Sequence, residues 1–129
     1  VVGGVAAAFV VNYLLSPQNY QLGAEFSLPG LIIGEFLFTF ALCYVVLLTA
    51  TSRPVSGNSY YGLAIGSAVT AGAFAVGGSI CLGAFNPAVA ISLGIMHAAF
   101  WKMTAFTVVV NLLAAVAAGL TFKAVTYNE

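Results

Sequence analysis

The sequence predicts an all-α membrane protein built from about three full transmembrane helices, one truncated helix and a re-entrant half-helix. Three observations carry that expectation. Of the 129 residues, 62% are hydrophobic and 5% are charged, with a mean hydropathy of +1.09, whereas a globular domain carries about 25% charged residues. Three apolar stretches reach the roughly 20 residues that a bilayer core demands. A fourth and much shorter one opens with Asn86-Pro87-Ala88, in a region without a charged residue on either side.

Taken in order, Val1 to Leu15 is apolar and rich in Gly and Ala, like the tail of a transmembrane helix. It has neither the basic flank nor the cleavage site of a signal peptide, so further chain is expected before Val1. Ser16 to Gly30 is a long polar connector holding Pro17 and Pro29. Leu31 to Thr51 is the first full span. Ser52 to Ser59, with Arg53, Pro54, Gly57 and Asn58, predicts a short exposed turn. Tyr60 to Gly78 is the second span. Gly78 to Gly83 lacks helical periodicity and is rich in small residues, and such a segment at membrane depth has to line a cavity. Pro87 to Met96 follows as the half-helix, because about ten residues at 1.5 Å rise cross only half of a core about 30 Å thick. Lys102 to Val125 is the third span. All of residues 1–129 read as one transmembrane domain.

The start of the half-helix has a local explanation. Asn86 suits the N-cap, where its side-chain oxygen takes a backbone N–H, and Pro87 suits the first helical position because its missing donor would be an orphan there. Small residues four apart, Gly62 and Gly66 and then Ala114, Ala118 and Gly119, predict close helix contacts.

The charged residues are few: Glu25, Glu35, Arg53, Lys102, Lys123 and Glu129, with a net charge of zero. A chain of this kind offers no nucleic-acid surface. Arg53 and Lys123 on one side against Lys102 on the other weakly direct the Arg53 turn and the C-terminus to the cytoplasmic face or its equivalent. Cys43 and Cys81 stand alone in apolar sequence and read as packing residues. No nucleophile and base pair, phosphate loop, metal-ligand cluster or carboxylate pair can be assembled, so the chain is not read as an enzyme and calls for no cofactor or metal. His97, near Trp101 and Lys102, reads as an interfacial residue. Trp101, Tyr60, Tyr61 and Tyr127 read as an aromatic belt.

These residues together resemble the major intrinsic protein family, the aquaporins and glyceroporins, and look like the C-terminal half of that fold. The resemblance rests on Gly34-Glu35-Phe36-Leu37-Phe38-Thr39-Phe40-Ala41-Leu42, on Gly62-Leu63-Ala64-Ile65-Gly66, and on Gly83-Ala84-Phe85-Asn86-Pro87-Ala88-Val89-Ala90, in that order. It implies two inverted halves with one Asn-Pro-Ala each, a pore in every subunit and a homotetramer or larger membrane assembly in the lipid bilayer. Only one such motif is present, so a pore needs a preceding half or a second copy. Asn86, Pro87 and Ala88 become the pore motif. Glu35 becomes a support that accepts N–H groups of the loop around Ser79 to Leu82. Counting from Asn86 puts the selectivity filter at Phe74, Gly83 and Val89. Water-conducting members usually carry Arg where this chain has Val89, so the filter is apolar and lacks a fixed cation.

Two functions follow as expectations. The first is a passive channel for water or small neutral solutes. The alternative is an aquaporin-derived structural or interaction subunit of a larger membrane complex, with a closed or non-selective pore. The missing Arg, the single motif and the half-length favour the alternative, and the order of the three elements favours the channel.

Overall fold

In a computed structural model of the chain, residues 1–15 and 26–126 are described. Residues 16–25 of the expected connector Ser16 to Gly30, and the expected anchor Tyr127, lie outside them. The helices are α1 (Val2–Leu15), α2 (Leu28–Ala50), α3 (Tyr61–Val76), α4 (Pro87–Ile95) and α5 (Trp101–Val125), with a 3-10 turn at Arg53–Val55. No strand occurs among the described residues; a single bridge joins Gly77 and Cys81.

The helix ends follow local chemistry. Ser27 caps α2, its hydroxyl accepting from the Gly30 N–H at 3.3 Å, and Pro29 sits in the first turn, where no donor is needed. The cap starts this helix at Leu28, ahead of the expected Leu31. In the turn after α2, Asn58 does most of the joining. Its amide donates to the Thr49 and Val55 carbonyls at 2.7 and 2.8 Å, and its oxygen accepts from the Tyr60 and Tyr61 N–H groups at 3.2 and 2.9 Å. Asn86 caps α4, and His97, at φ +56°, marks the reversal after it.

Among the described residues two helices, α2 with 23 residues and α5 with 25, are long and apolar enough to cross a membrane. The expected second full span, Tyr60 to Gly78, is corrected. The 16 residues of α3 reach about 24 Å at 1.5 Å per residue, short of a core about 30 Å thick. Hydropathy continues through Gly78, but the backbone does not. Gly77 leaves the helix as its extended C-cap and Gly78 takes φ +74°, while the Val76 carbonyl receives both Ile80 N–H and Cys81 N–H at 3.0 Å. The nine residues of α4 keep it a half-length helix, as its composition predicted.

Packing runs in series. α1 lies on α4, α4 on α5, α5 on α2, and α2 on α3. The buried cluster of Leu31, Cys81, Leu82, Ala84, Phe85 and Ala90 joins the start of α2 to the segment entering α4. Ala114 and Ala118 are fully buried on α5, as the small-residue spacing predicts. Gly62, Gly66 and Gly119 do not make the expected close approach, since a β-carbon at any of them would meet nothing within 4 Å. The close approach on α3 is at Gly72. A β-carbon there would lie 2.8 Å from the Phe85 ring and 2.9 Å from that of Phe38, and those two rings pack with centroids 5.7 Å apart.

Substituting Gly72 with Ala should therefore destabilise the chain by about 1–3 kcal/mol through overpacking. Gly62→Ala should be neutral or stabilise it by up to about 1 kcal/mol from helix propensity alone. Thermal unfolding of the two variants in one detergent checks the contrast.

Candidate functional site

The segment entering α4 has to run through the interior without helix or sheet partners for its backbone. Its tight path needs glycine at Gly83, where φ is +66° and a β-carbon would lie 2.8 Å from the Gly77 α-carbon. Phe85 also has positive φ, +47°, which is strained for a bulky residue. Two buried polar side chains from other helices hold this path in place.

The first is Glu35 of α2, fully buried. Its two carboxyl oxygens accept the Ala84 N–H at 3.1 Å and the Phe85 N–H at 3.0 Å. The second is Asn111 of α5, also fully buried. The amide orientation that satisfies its surroundings donates to Thr39 Oγ1 at 2.8 Å and to Glu35 Oε2 at 3.1 Å, and its oxygen accepts the Asn86 N–H at 3.0 Å. Three consecutive backbone donors, at Ala84, Phe85 and Asn86, are thus taken up by two side chains. Two backbone N–H groups and the Asn111 amide thus converge on the carboxyl oxygens of Glu35.

The partners of Glu35 differ from those the resemblance implied. The loop around Ser79 to Leu82 closes on itself, with Ile80 N–H and Cys81 N–H on the Val76 carbonyl and Gly78 N–H on the Cys81 carbonyl at 2.9 Å. Ala84 and Phe85 are the donors beyond that turn, and Glu35 meets those.

With its backbone held, Asn86 sits at φ −156° as the N-cap of α4. Its side-chain oxygen accepts the Ala88 N–H at 2.8 Å, and its carbonyl accepts the Ala90 N–H at 3.0 Å. No described residue accepts from its side-chain NH2. Asn86 and Pro87 form one end of a groove of about 620 Å³, floored by α2 and flanked by α3 and α5. Thr39 and Asn111 lie at that end too, whereas Leu42, Cys43, Val69 and Leu112 make the rest apolar.

The residues expected to form a filter do not gather at this groove. Phe74 is 89% exposed on α3, Val89 is exposed on the first turn of α4, and Gly83 is half-buried in the tight path. None of the three lines the groove. Ala88 is half-buried, its N–H used by the cap. Asn111 and Thr39 were missed at the sequence level. The available signal was a single Asn in a 25-residue apolar helix, since a buried amide among apolar neighbours must find partners.

The fold and site define an all-helical chain in which a buried carboxyl group and a buried amide fix the start of a half-length helix beside an apolar groove. No family model matches the chain, nor does any curated protein or solved structure.

Removing one member of a buried network leaves the others unsatisfied. Glu35→Gln, which presents an NH2 to donors, and Asn111→Leu should each cost about 1–3 kcal/mol. The double variant should cost less than the sum, because the two side chains hydrogen-bond each other and hold adjacent donors. Amide hydrogen exchange should speed up first at Ala84, Phe85 and Asn86.

Proposed function

We propose that the chain is a multi-pass integral membrane protein forming one wall of a passive path for water or small neutral solutes, in the manner of the major intrinsic proteins that its motifs resemble. The observation that carries this reading is the placement of Asn86. It combines an uncommitted amide donor, a helix N-terminus and an adjoining groove, all held by Glu35 and Asn111.

The chemistry of such a spot is selective by charge sign. The N-terminus of α4 carries partial positive charge, and the Asn86 NH2 adds donor hydrogens. A neutral molecule passes with its oxygen turned toward them, and a cation meets an electrostatic barrier. The apolar groove wall supplies few further hydrogen bonds, so molecules with modest dehydration costs are favoured. The exposed apolar side chains of α1, α3 and α5, among them Phe9, Leu63, Val116 and Leu120, suit lipid and further protein. A closed path needs another wall, which a preceding half or a second copy of this chain would supply.

A structural or interaction subunit is the second reading. It is favoured by the absence of Phe74, Gly83 and Val89 from the groove lining, which leaves no filter beside Asn86.

Proteoliposomes followed by stopped-flow light scattering decide between them, with water, glycerol and urea tested separately. Asn86→Asp keeps an N-cap oxygen but removes the NH2 donor, so permeation should fall about tenfold, the equivalent of one lost hydrogen bond of about 1.4 kcal/mol. Folded, inserted protein that is no faster than empty liposomes assigns the structural role.

The groove can be probed separately. Cys43 is half-buried in its lining, whereas Cys81 is fully buried elsewhere. A small methanethiosulfonate reagent should slow permeation through the native protein and leave Cys43→Ser unaffected. Equal inhibition of both, or of neither, excludes the groove as the path.

A further inference from the structure

The threonines of this chain divide into three groups. Thr49, Thr51, Thr70, Thr121 and Thr126 each donate to the carbonyl four residues back, at 2.6–2.9 Å. Thr39 is bonded to Asn111. Thr104 and Thr107 do neither. Their hydroxyl oxygens are the buried side-chain atoms without a hydrogen-bond partner among the described residues, in residues only 2% and 0% exposed.

Their placement links them to the site already described. Thr104, Thr107 and Asn111 stand three and four residues apart, so they share one face of α5. At the Thr104 level that face meets α4, because the Thr104 hydroxyl lies 3.0 Å from where a β-carbon of Gly94 would sit. At the Asn111 level it meets Glu35, Thr39 and the Asn86 N–H. Thr107 lies between, on a polar seam that runs behind the half-helix from its C-terminal end to its capped start.

A buried hydroxyl without a partner is costly, and in apolar surroundings the cost is greatest. Back-bonding to the helix, which five other threonines use, is the local remedy, and these two hydroxyls make no such bond. Side chains three apart on a helix have β-carbons about 5–6 Å apart. One molecule making two hydrogen bonds of about 2.8 Å spans that gap. The molecule must be small, neutral and able both to donate and to accept.

We propose that Thr104 and Thr107 together bind an ordered water molecule between α4 and α5, and that this water helps hold the half-helix against α5. It is a structural water, separate from any molecule in the groove, and it does not depend on whether the groove conducts.

The test uses the full chain in detergent micelles. Thr104→Val and Thr107→Val keep the side-chain shape and remove the hydroxyl. Each should lower Tm by about 4 °C, the shift expected for one lost hydrogen bond in a small domain. The double variant should melt no lower than the worse single one, since the water is lost once. Thr104→Ser and Thr107→Ser, which keep the hydroxyl, should retain the coupling. In the unsubstituted protein, nuclear Overhauser cross-peaks from water to the Thr104 and Thr107 methyl protons should be present. In Thr107→Val the cross-peak at Thr104 should vanish. Val variants that melt at or above the native temperature, single effects that add, or methyl groups without a water cross-peak overturn the proposal.

Discussion

A backbone that enters the interior without joining a helix must surrender its N–H groups to something, and here Glu35 receives them. Its two oxygens take Ala84 and Phe85, and Asn111 extends the arrangement to Asn86. Helix α4 can then start inside the molecule, because the donors just before its cap are already satisfied. The rest of the site depends on this exchange. Without it, the first turn of α4 and the Asn86 side chain would have no defined position relative to the groove.

The same requirement explains where the fold tolerates strain. Phe85 has a left-handed φ that a bulky residue seldom adopts, and that costs of order 1–3 kcal/mol. It is fixed from three directions: its N–H is on Glu35, its ring packs on Phe38, and Gly72 on α3 leaves room for that ring. Gly83 serves the preceding step, where the chain passes so close to Gly77 that a β-carbon does not fit. Packing, hydrogen bonding and backbone geometry therefore specify one path through this segment. The glycines at Gly62 and Gly66, by contrast, face open space and contribute nothing comparable.

Helices packed in series leave one face of α2 uncovered between α3 and α5, and that face floors the groove. An apolar trough of this kind, ending in Thr39, Asn111 and Asn86, sets polar groups only where the half-helix begins. The contrast along its length comes from the segment before α4 crossing its end. The exposed apolar side chains elsewhere belong to helices that pack on one neighbour or two.

Much of the architecture was legible in the sequence, because hydropathy, proline and cap residues act locally. The lengths of α2 and α5, the half-length α4 and the Asn86 cap follow from runs of apolar residues and from what Asn and Pro do to a helix start. The shortness of α3 was less legible, since Gly77 and Gly78 continue the apolar run while ending the helix. Glu35 stood out in the sequence as a lone acidic residue, whereas Asn111 was not singled out. Only the tertiary structure decided that they meet across α2 and α5, and that they take the backbone donors of Ala84, Phe85 and Asn86 rather than those of residues 79–82. The physical reason is that a hydrogen bond between residues 25 or more positions apart leaves no periodicity in the chain. It depends on which donors the local turn has already used and on how two helices happen to face each other.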